Sequence, residues 1–455
     1  MSVTKEVLER ITPSLEDKQA MRDATNKIIK ELKSEFSGCD EVKFVEIYGS
    51  ISRDTWLTHD KDIDVFVGFD KTCSKKYMEN VISAAGKKIL SDTVKQYAEH
   101  PYIKGKYRGF SVEIVPSYDI KDTSERISAV DRTRFHDAYI KENLAGRQND
   151  VRLLKQFLRG IGCYGAEIKV EGFSGYLCEL LVLKFGSFEE VLKAVATWTT
   201  PVTLTPISRE STSQKFSNEV LIVTDPTDEN RNVASALSDF KLSLFITASK
   251  EYQKNPGHRF FFPIKRILKR EVLIKNFRVR KTHLISVTFT TPEVIDDILY
   301  SQIKKALKFF NKRFEEAEHS VINSGFYVGE KTALAFEFEH AELPVAQLHT
   351  GPKVNSENES KFIDKHKASK TSITNPVIEN GRWAVLKQRK FVKPEDLLEN
   401  FLSDTNLEQK GVPKYIAAEV YKDFKILTGV NAVEGDLEFF TQFFDPRFPW
   451  EPANV

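Results

Sequence analysis

Cysteine is scarce in this chain and shows no pairing pattern. The four cysteines, Cys39, Cys73, Cys163 and Cys178, are scattered through 455 residues with no C-x-x-C pair. That argues against a disulfide framework or a cysteine-built zinc site and makes a reducing cytoplasm the expected setting. Long apolar runs are missing too: none approaches the roughly 20 residues that a membrane helix needs. The N-terminus, Met1-Ser2-Val3-Thr4-Lys5-Glu6, has no apolar h-region, so no secretory signal is expected. No internal repeat and no long low-complexity segment is visible. Charge does not lean to one sign either. Lys and Arg number 67 against 65 Asp and Glu, a net charge of +2, so the overall balance gives no reason to expect a nucleic-acid partner.

What is present fits a globular chain of about three domains at roughly 150 residues each. Hydrophobic residues make up 41% and charged residues 29%, enough apolar side chains for several cores. One local concentration of charge stands out. Between His258 and Lys281 lie nine Lys or Arg residues (Arg259, Lys265, Arg266, Lys269, Arg270, Lys275, Arg278, Arg280 and Lys281) and a single acid, Glu271. Such a segment serves either as a phosphate-binding surface or as a solvated helical face.

Apolar periodicity predicts a helix over 15–36, a strand over Val42–Tyr48 broken by Gly49-Ser50, a strand over Ile63–Phe69 and a helix over about 76–97. Tyr107-Arg108-Gly109-Phe110 reads as a hairpin turn into a strand, Ser111–Val115, stopped by Pro116. Residues 147–198 are mainly helical in pattern, and 199–218 read as loops or a hairpin. A strand is expected over 219–223 and a helix over 232–252. In the last third, strands are expected at 283–289, 321–328, 332–340 and 382–389, with a long helix over 294–318. The polar stretch 351–375 reads as a mobile loop or a short helix, and helices over about 394–402 and 412–427 close the chain. The β-α-β-β…β order suggests a ferredoxin-like unit over about 282–391, without the aromatic motif of RNA recognition modules. The expected class is therefore α+β.

The stretch that carries chemistry is Ile47-Tyr48-Gly49-Ser50-Ile51-Ser52-Arg53, followed by Lys61-Asp62-Ile63-Asp64-Val65-Phe66. On a strand Asp62 and Asp64 share a face while Ile63 turns to the core. Two adjacent carboxylates repel, and divalent cations between them reverse the sign. Gly49 lets backbone approach a phosphate, the Ser50 hydroxyl can bond a phosphate oxygen, and Arg53 can add a charged fork. A two-metal site wants a third carboxylate. Glu113, on a strand between Val112 and Ile114, is the candidate. An Asp-x-Asp or a Gly-Ser alone is common on surface strands and turns, and the information lies in the combination.

This combination resembles the DNA polymerase β-like nucleotidyltransferases. Further segments narrow the resemblance to the archaeal-type (class I) CCA-adding enzymes: Ala98-Glu99-His100-Pro101-Tyr102, Ser128 to His136, Val151-Arg152-Leu153-Leu154-Lys155, Tyr164 to Glu179, Asp225 to Ala234, and Glu379-Asn380-Gly381-Arg382-Trp383. The resemblance implies a polymerase β-like catalytic domain with a small mixed sheet over 1–145, a central, mainly helical recognition domain over 146–258 and a C-terminal RNA-binding region over 259–455. It implies addition of C, C and A to a tRNA 3′ end from CTP and ATP, with two magnesium ions (Mg2+) held by Asp62, Asp64 and Glu113. The family's third carboxylate is usually aspartate, and glutamate here lengthens that ligand by one methylene. The resemblance also implies that Gly49, Ser50, Arg53, Thr133, His136, Lys155 and Tyr164 surround the nucleotide and that Arg231 reads the base edge. Lys265, Arg266, Lys269, Arg270, Arg278 and Arg280 are the candidate RNA contacts. A homodimer stays open.

Each of these side chains has a plainer reading alone: Lys155 as a solvated lysine, His136 as a satisfied structural histidine, Tyr164 as a core tyrosine, Arg231 as a helix-start surface arginine. Two other functions remain in view. One is another enzyme on the same core, such as a poly(A) polymerase. The other is a catalytically inactive RNA-binding protein, against which the intact Asp62 and Asp64 argue.

Overall fold

Serine starts the first helices. Ser2 caps α1 (Val3–Ile11) and Ser14 caps α2 (Leu15–Glu35), where Asp17 returns the bond to complete a capping box. The computed structural model describes residues 2–97, 101–204, 216 and 218–452. The chain divides into two units, Met1–Lys265 with Phe448–Val455, and Arg266–Arg447.

In the first unit, β1 (Val42–Tyr48) leads into the single turn α3 (Gly49–Ser52), then β2 (Asp62–Phe69), α4 (Lys75–Ile89), β3 (Ser91–Tyr97), β4 (Pro101–Tyr107) and β5 (Phe110–Tyr118). The strands form one sheet in the order β1-β2-β5-β4-β3, with β2 and β5 parallel and every other neighbour antiparallel. Ile63, Val65, Val67, Val112 and Ile114 are buried in its core with Met21, Ile28 and Leu32 of α2 and Met78 and Ile82 of α4.

Two expectations change here. The helix expected over 76–97 stops at Ile89: Leu90 is extended and Asp92 has φ 50°, after which 91–97 pair with β4. Pairing with a neighbouring strand overrides helical periodicity at a sheet edge. The strand expected to stop at Pro116 runs on to Tyr118. Its partner β4 pairs only as far as Ile114, so the missing proline N–H costs no ladder bond on that side.

The helices α5 (Thr133–Asn143), α6 (Gln148–Gly160), α7 (Gly175–Phe185) and α8 (Phe188–Val195) follow. Short strands β6 (Val202–Leu204), β7 (Leu221–Asp225) and β8 (Asp228–Asn232) and helix α9 (Asp239–Lys254) complete this part. Its apolar core gathers Leu154, Phe157 and Leu158 of α6, Leu177 and Leu181 of α7, Phe188 and Val191 of α8, and Phe245 of α9. Trp450 belongs to the same core and stacks on Phe260. The loops or hairpin expected over 199–218 fall largely outside the described residues. The helix expected from 232 begins at Asp239, capped by Ser238. The Asn232 side chain instead accepts from the amides of Val223 and Ala234 and donates to the Leu221 carbonyl, which holds 232–234 out of a helix.

The second unit opens with α10 (Arg270–Arg280) and β9 (His283–Thr290), followed by α11 (Asp296–Glu316), β10 (Val321–Val328) and β11 (Lys331–Phe338). Then come β12 (Ala346–Lys353), α12 (Glu359–Lys367), β13 (Val377–Glu379), β14 (Arg382–Gln388), α13 (Pro394–Leu402), α14 (Lys414–Val420), β15 (Phe424–Thr428) and α15 (Leu437–Phe444). An antiparallel sheet runs β10-β11-β9-β15, and β12-β14-β13 form a separate one. The β-α-β-β pattern over 283–338 is the ferredoxin-like beginning. The strand at 382–388, however, joins the other sheet. The fourth strand of the larger sheet is β15, within a segment expected to be helical to 427. Helix α14 ends at Val420, and the segment Phe424–Thr428 gains a full ladder by adding to β9.

Candidate active site

The alternation of β2 is visible in burial: Ile63 and Val65 are fully buried, while Asp62 is exposed and Asp64 half-buried. Parallel pairing puts Asp64 opposite Glu113 and Asp62 opposite Ser111. Two acids of one strand thus meet a third on its neighbour. Burial, then the charges of Glu113 and Asp62, push the Asp64 carboxyl up to about 7. Lys104 on β4 lies in register with Glu113, and its Nζ donates to Glu113 Oε1 at 2.8 Å. A cleft of about 470 Å³ opens beside Asp62 and Lys104, with Lys61 and Lys106 on its walls.

The donor set suits a hard divalent cation, which prefers carboxylate oxygens and would offset both the burial and the mutual repulsion that raise the Asp64 carboxyl. Among the described residues no three His, Cys, Asp or Glu side chains already converge closely enough to ligate one ion. Glu113 is the acid engaged elsewhere, by Lys104, so its exchange of partner is what would complete the set.

Gly49 has two reasons to be glycine. Its φ is +81°, and a Cβ there would lie 2.5 Å from Asp64 Oδ2. The Gly-Ser turn is thereby pressed against the carboxylate. Ser50 is half-buried in the turn, and its carbonyl accepts from the Thr55 amide.

Arg53 and Lys155, expected beside a triphosphate, are each held by buried polar partners. Arg53 Nε donates to the Gly49 carbonyl at 2.9 Å and lies 3.5 Å from Asp137 Oδ1, while its Nη1 donates to Glu179 Oε2 at 2.6 Å. Lys155 Nζ donates to the carbonyl and hydroxyl of Thr55, whose hydroxyl in turn donates to Glu179. Burial holds the Lys155 ammonium below its ordinary pKa, against the pull of Glu179. Tyr164, after α6, packs beneath the Arg159 guanidinium, and its hydroxyl and Lys155 Nζ both border Gly175.

A second cluster forms around Asp225, which is fully buried. It accepts from His136 Nε2 at 2.8 Å, Arg231 Nη1 at 2.9 Å, the Tyr176 hydroxyl at 3.2 Å, and the amide and hydroxyl of Thr227. Burial alone would raise the Asp225 pKa, but His136, Thr227 and Arg231 together hold it well below the carboxylate range. The His136 ring stacks on Tyr176 at 4.1 Å. Arg231 sits on β8, not at a helix start. Thr133 heads α5 one turn before His136. Sequence reasoning singled out His136 and Arg231 but missed the acid that joins them. It also missed Tyr176, Glu179, Asp137 and Lys104. The available signal for Glu179 was a charge in the middle of the apolar run Leu177 to Leu183.

Three family models match in chain order: a nucleotidyltransferase domain over 25–136, the second domain of tRNA nucleotidyltransferase over 149–262, and the C-terminal domain of CCA-adding enzyme over 280–429. A protein from Methanosarcina mazei named CCA-adding enzyme is 35% identical over 432 residues, 92% of each chain. One so named from Archaeoglobus fulgidus is 34% identical over 431 residues, 94% of each. The chain belongs to the CCA-adding enzyme family. It is accordingly a nucleotidyltransferase, and no helix among the described residues is long and apolar enough to cross a membrane.

Within this CCA-adding family member, the basic segment is less uniform than its composition suggests. Arg266 is engaged by Asp445, Arg270 donates to the carbonyls of Val433 and Val430, and Arg280 donates to buried Glu337 and to the Phe444 carbonyl. These three hold the second unit together. Lys269 and Arg278 are exposed, and Lys265 closes the first unit.

Proposed function

We propose that the protein adds C, C and A in turn to the 3′ end of tRNA, using CTP and ATP without a nucleic-acid template, in the cytoplasm. The observation that carries this reading is the set Asp62, Asp64 and Glu113 on adjacent strands, with Asp64 pressed against Gly49, in a chain similar over 92% of its length to proteins named CCA-adding enzyme. The RNA 3′ hydroxyl attacks the α-phosphorus of the nucleotide in line, and pyrophosphate leaves. Asp62, Asp64 and Glu113 would hold two Mg2+ ions, which supply activation of the attacking hydroxyl and neutralisation of the leaving group's charge.

The remaining steps belong to the chain's own side chains. Gly49 and Ser50 admit the triphosphate to the turn, with Thr133, Lys155 and Tyr164 on neighbouring elements. Arg53 contributes its charge from within its ion pairs. Arg231, steadied by Asp225, offers a planar fork to a cytosine or adenine edge. Residues 1–145 do the chemistry, 146–258 recognise the nucleotide, and 259–455 bind RNA, with exposed Lys269 and Arg278 among the phosphate contacts.

The test uses tRNA lacking its CCA end, Mg2+, and CTP and ATP separately and together, with products resolved at single-nucleotide length. Two additions with CTP and one further addition with ATP are expected. A ladder of A residues would replace this reading with a poly(A) polymerase, and tRNA binding without incorporation would replace it with an inactive RNA-binding protein.

A further inference from the structure

Arg53 lies between two buried carboxylates from different helices. Its side chain is 9% exposed, against 1% for Glu179 of α7 and 3% for Asp137 of α5. Asp137 also accepts from the Ser52 hydroxyl at 3.0 Å, so both Ser52 and Arg53 of the turn region are tied to α5. The Arg53 backbone amide and Nε both donate to the Gly49 carbonyl, at 3.3 and 2.9 Å. Gly49 has no side chain with which to anchor itself, so the orientation of this guanidinium sets where its carbonyl lies. The same two helices give His136 and Tyr176 to Asp225, one residue from Asp137 and three from Glu179. The scaffold that holds the second cluster is therefore the one that holds Arg53.

We infer that Glu179 and Asp137 are positioning residues: by gripping Arg53 from α7 and α5 they hold the Gly-Ser turn against Asp64. A guanidinium with a rigid fork transmits that grip, because fixing Nη1 on Glu179 fixes the direction of Nε toward Gly49. In a buried network the bonds stand or fall together, so loss of one acid frees the arginine and, with it, the turn. The effect is felt where Gly49 meets Asp64, and this inference rests on reading Asp62 and Asp64 as the acids of the reacting centre.

Glu179→Gln keeps the shape but cannot accept from both Arg53 and the Thr55 hydroxyl, since one of its two atoms is now a donor. The experiment measures single-turnover CMP incorporation at saturating CTP, tRNA affinity and thermal unfolding for the full chain, for Glu179→Gln, Arg53→Gln and the double variant, with Asp62→Ala alongside. Glu179→Gln is expected to slow incorporation by about 10- to 100-fold, the cost of a small misplacement of reacting groups, with tRNA affinity unchanged. The double variant is expected to be no slower than the slower single variant, because both act through one contact. Penalties that multiply, or a wild-type rate in Glu179→Gln, overturn the inference. Should Glu179→Gln fail to fold, Asp137→Asn completes the same cycle with Arg53→Gln. Incorporation retained by Asp62→Ala would instead overturn the underlying assignment, and the inference with it.

Discussion

The first unit contains two sets of acids that behave in opposite ways. Asp62, Asp64 and Glu113 crowd one another on adjacent strands, and among the described residues only Lys104 is paired with any of them through a hydrogen bond between side chains. Burial, with the neighbouring charges of Glu113 and Asp62 added to it, raises the pKa of Asp64. Asp225, Asp137 and Glu179 are more deeply buried, yet each has partners of opposite charge or polar donors: His136, Arg231 and Tyr176 on the first, Ser52 and Lys141 on one oxygen of the second with Arg53 3.5 Å from the other, and Arg53 and Thr55 on the third. Satisfied charge is scaffold, and charge left unsatisfied in a cleft is poised to bind cations and do chemistry.

Removing a member of each set should therefore have different consequences. Asp62→Ala should lower incorporation by about a thousandfold while leaving the unfolding temperature and tRNA affinity close to wild type, since it removes charge stabilisation made at the reacting centre. Rapid-quench kinetics and calorimetry on the same preparation check both halves.

Gly49→Ala disturbs the crowded set without touching an acid. The new Cβ meets Asp64 Oδ2 in a backbone region that L side chains rarely adopt. A loss of about 100-fold in kcat is expected, together with about 1–2 kcal/mol of stability. Intact activity would mean that the turn does not need its close approach.

The satisfied set should answer in stability instead. Asp225→Asn should cost about 2 kcal/mol, discounted from the usual cost of breaking a buried pair because Arg231 is 31% exposed. The pH dependence has a definite sign. A carboxyl with a folded pKa below its unfolded value near 4 contributes stability that is full above that value and shrinks as pH falls below it. The difference in unfolding temperature between wild type and Asp225→Asn should thus be constant above about pH 5 and narrow in acid.

The smallest effect separates the basic residues of 265–280 in the same way. Lys269→Ala and Arg278→Ala should each weaken tRNA binding and reduce the salt slope by about one. Arg280→Ala should lower the unfolding temperature, because it leaves buried Glu337 without its charge partner. Filter binding across a salt series distinguishes the two classes.

Much of this was legible in the residues. Asp62, Ile63 and Asp64 declared their faces by strand alternation, and Glu113 by its apolar neighbours. What escaped was partnership. Asp225, Glu179 and Asp137 sit 89, 126 and 84 residues from the His136 and Arg53 they hold, and no local pattern reports a contact made across such distances. Arg53 and Lys155 looked like free cations for the same reason. Two strands read as helix, 91–97 and 424–428, are both edge strands that exist because a neighbouring strand offers a ladder, a tertiary circumstance that local periodicity does not carry.

The most direct test of the contrast is to count divalent ions. Electron paramagnetic resonance of Mn2+, titrated into the protein with CTP, should report two bound ions per chain for wild type and for Asp225→Asn, and loss of binding in Asp64→Asn. Ion binding indifferent to Asp64 but abolished by Asp225→Asn would contradict the account, since it would move the cations to the acids that are already satisfied.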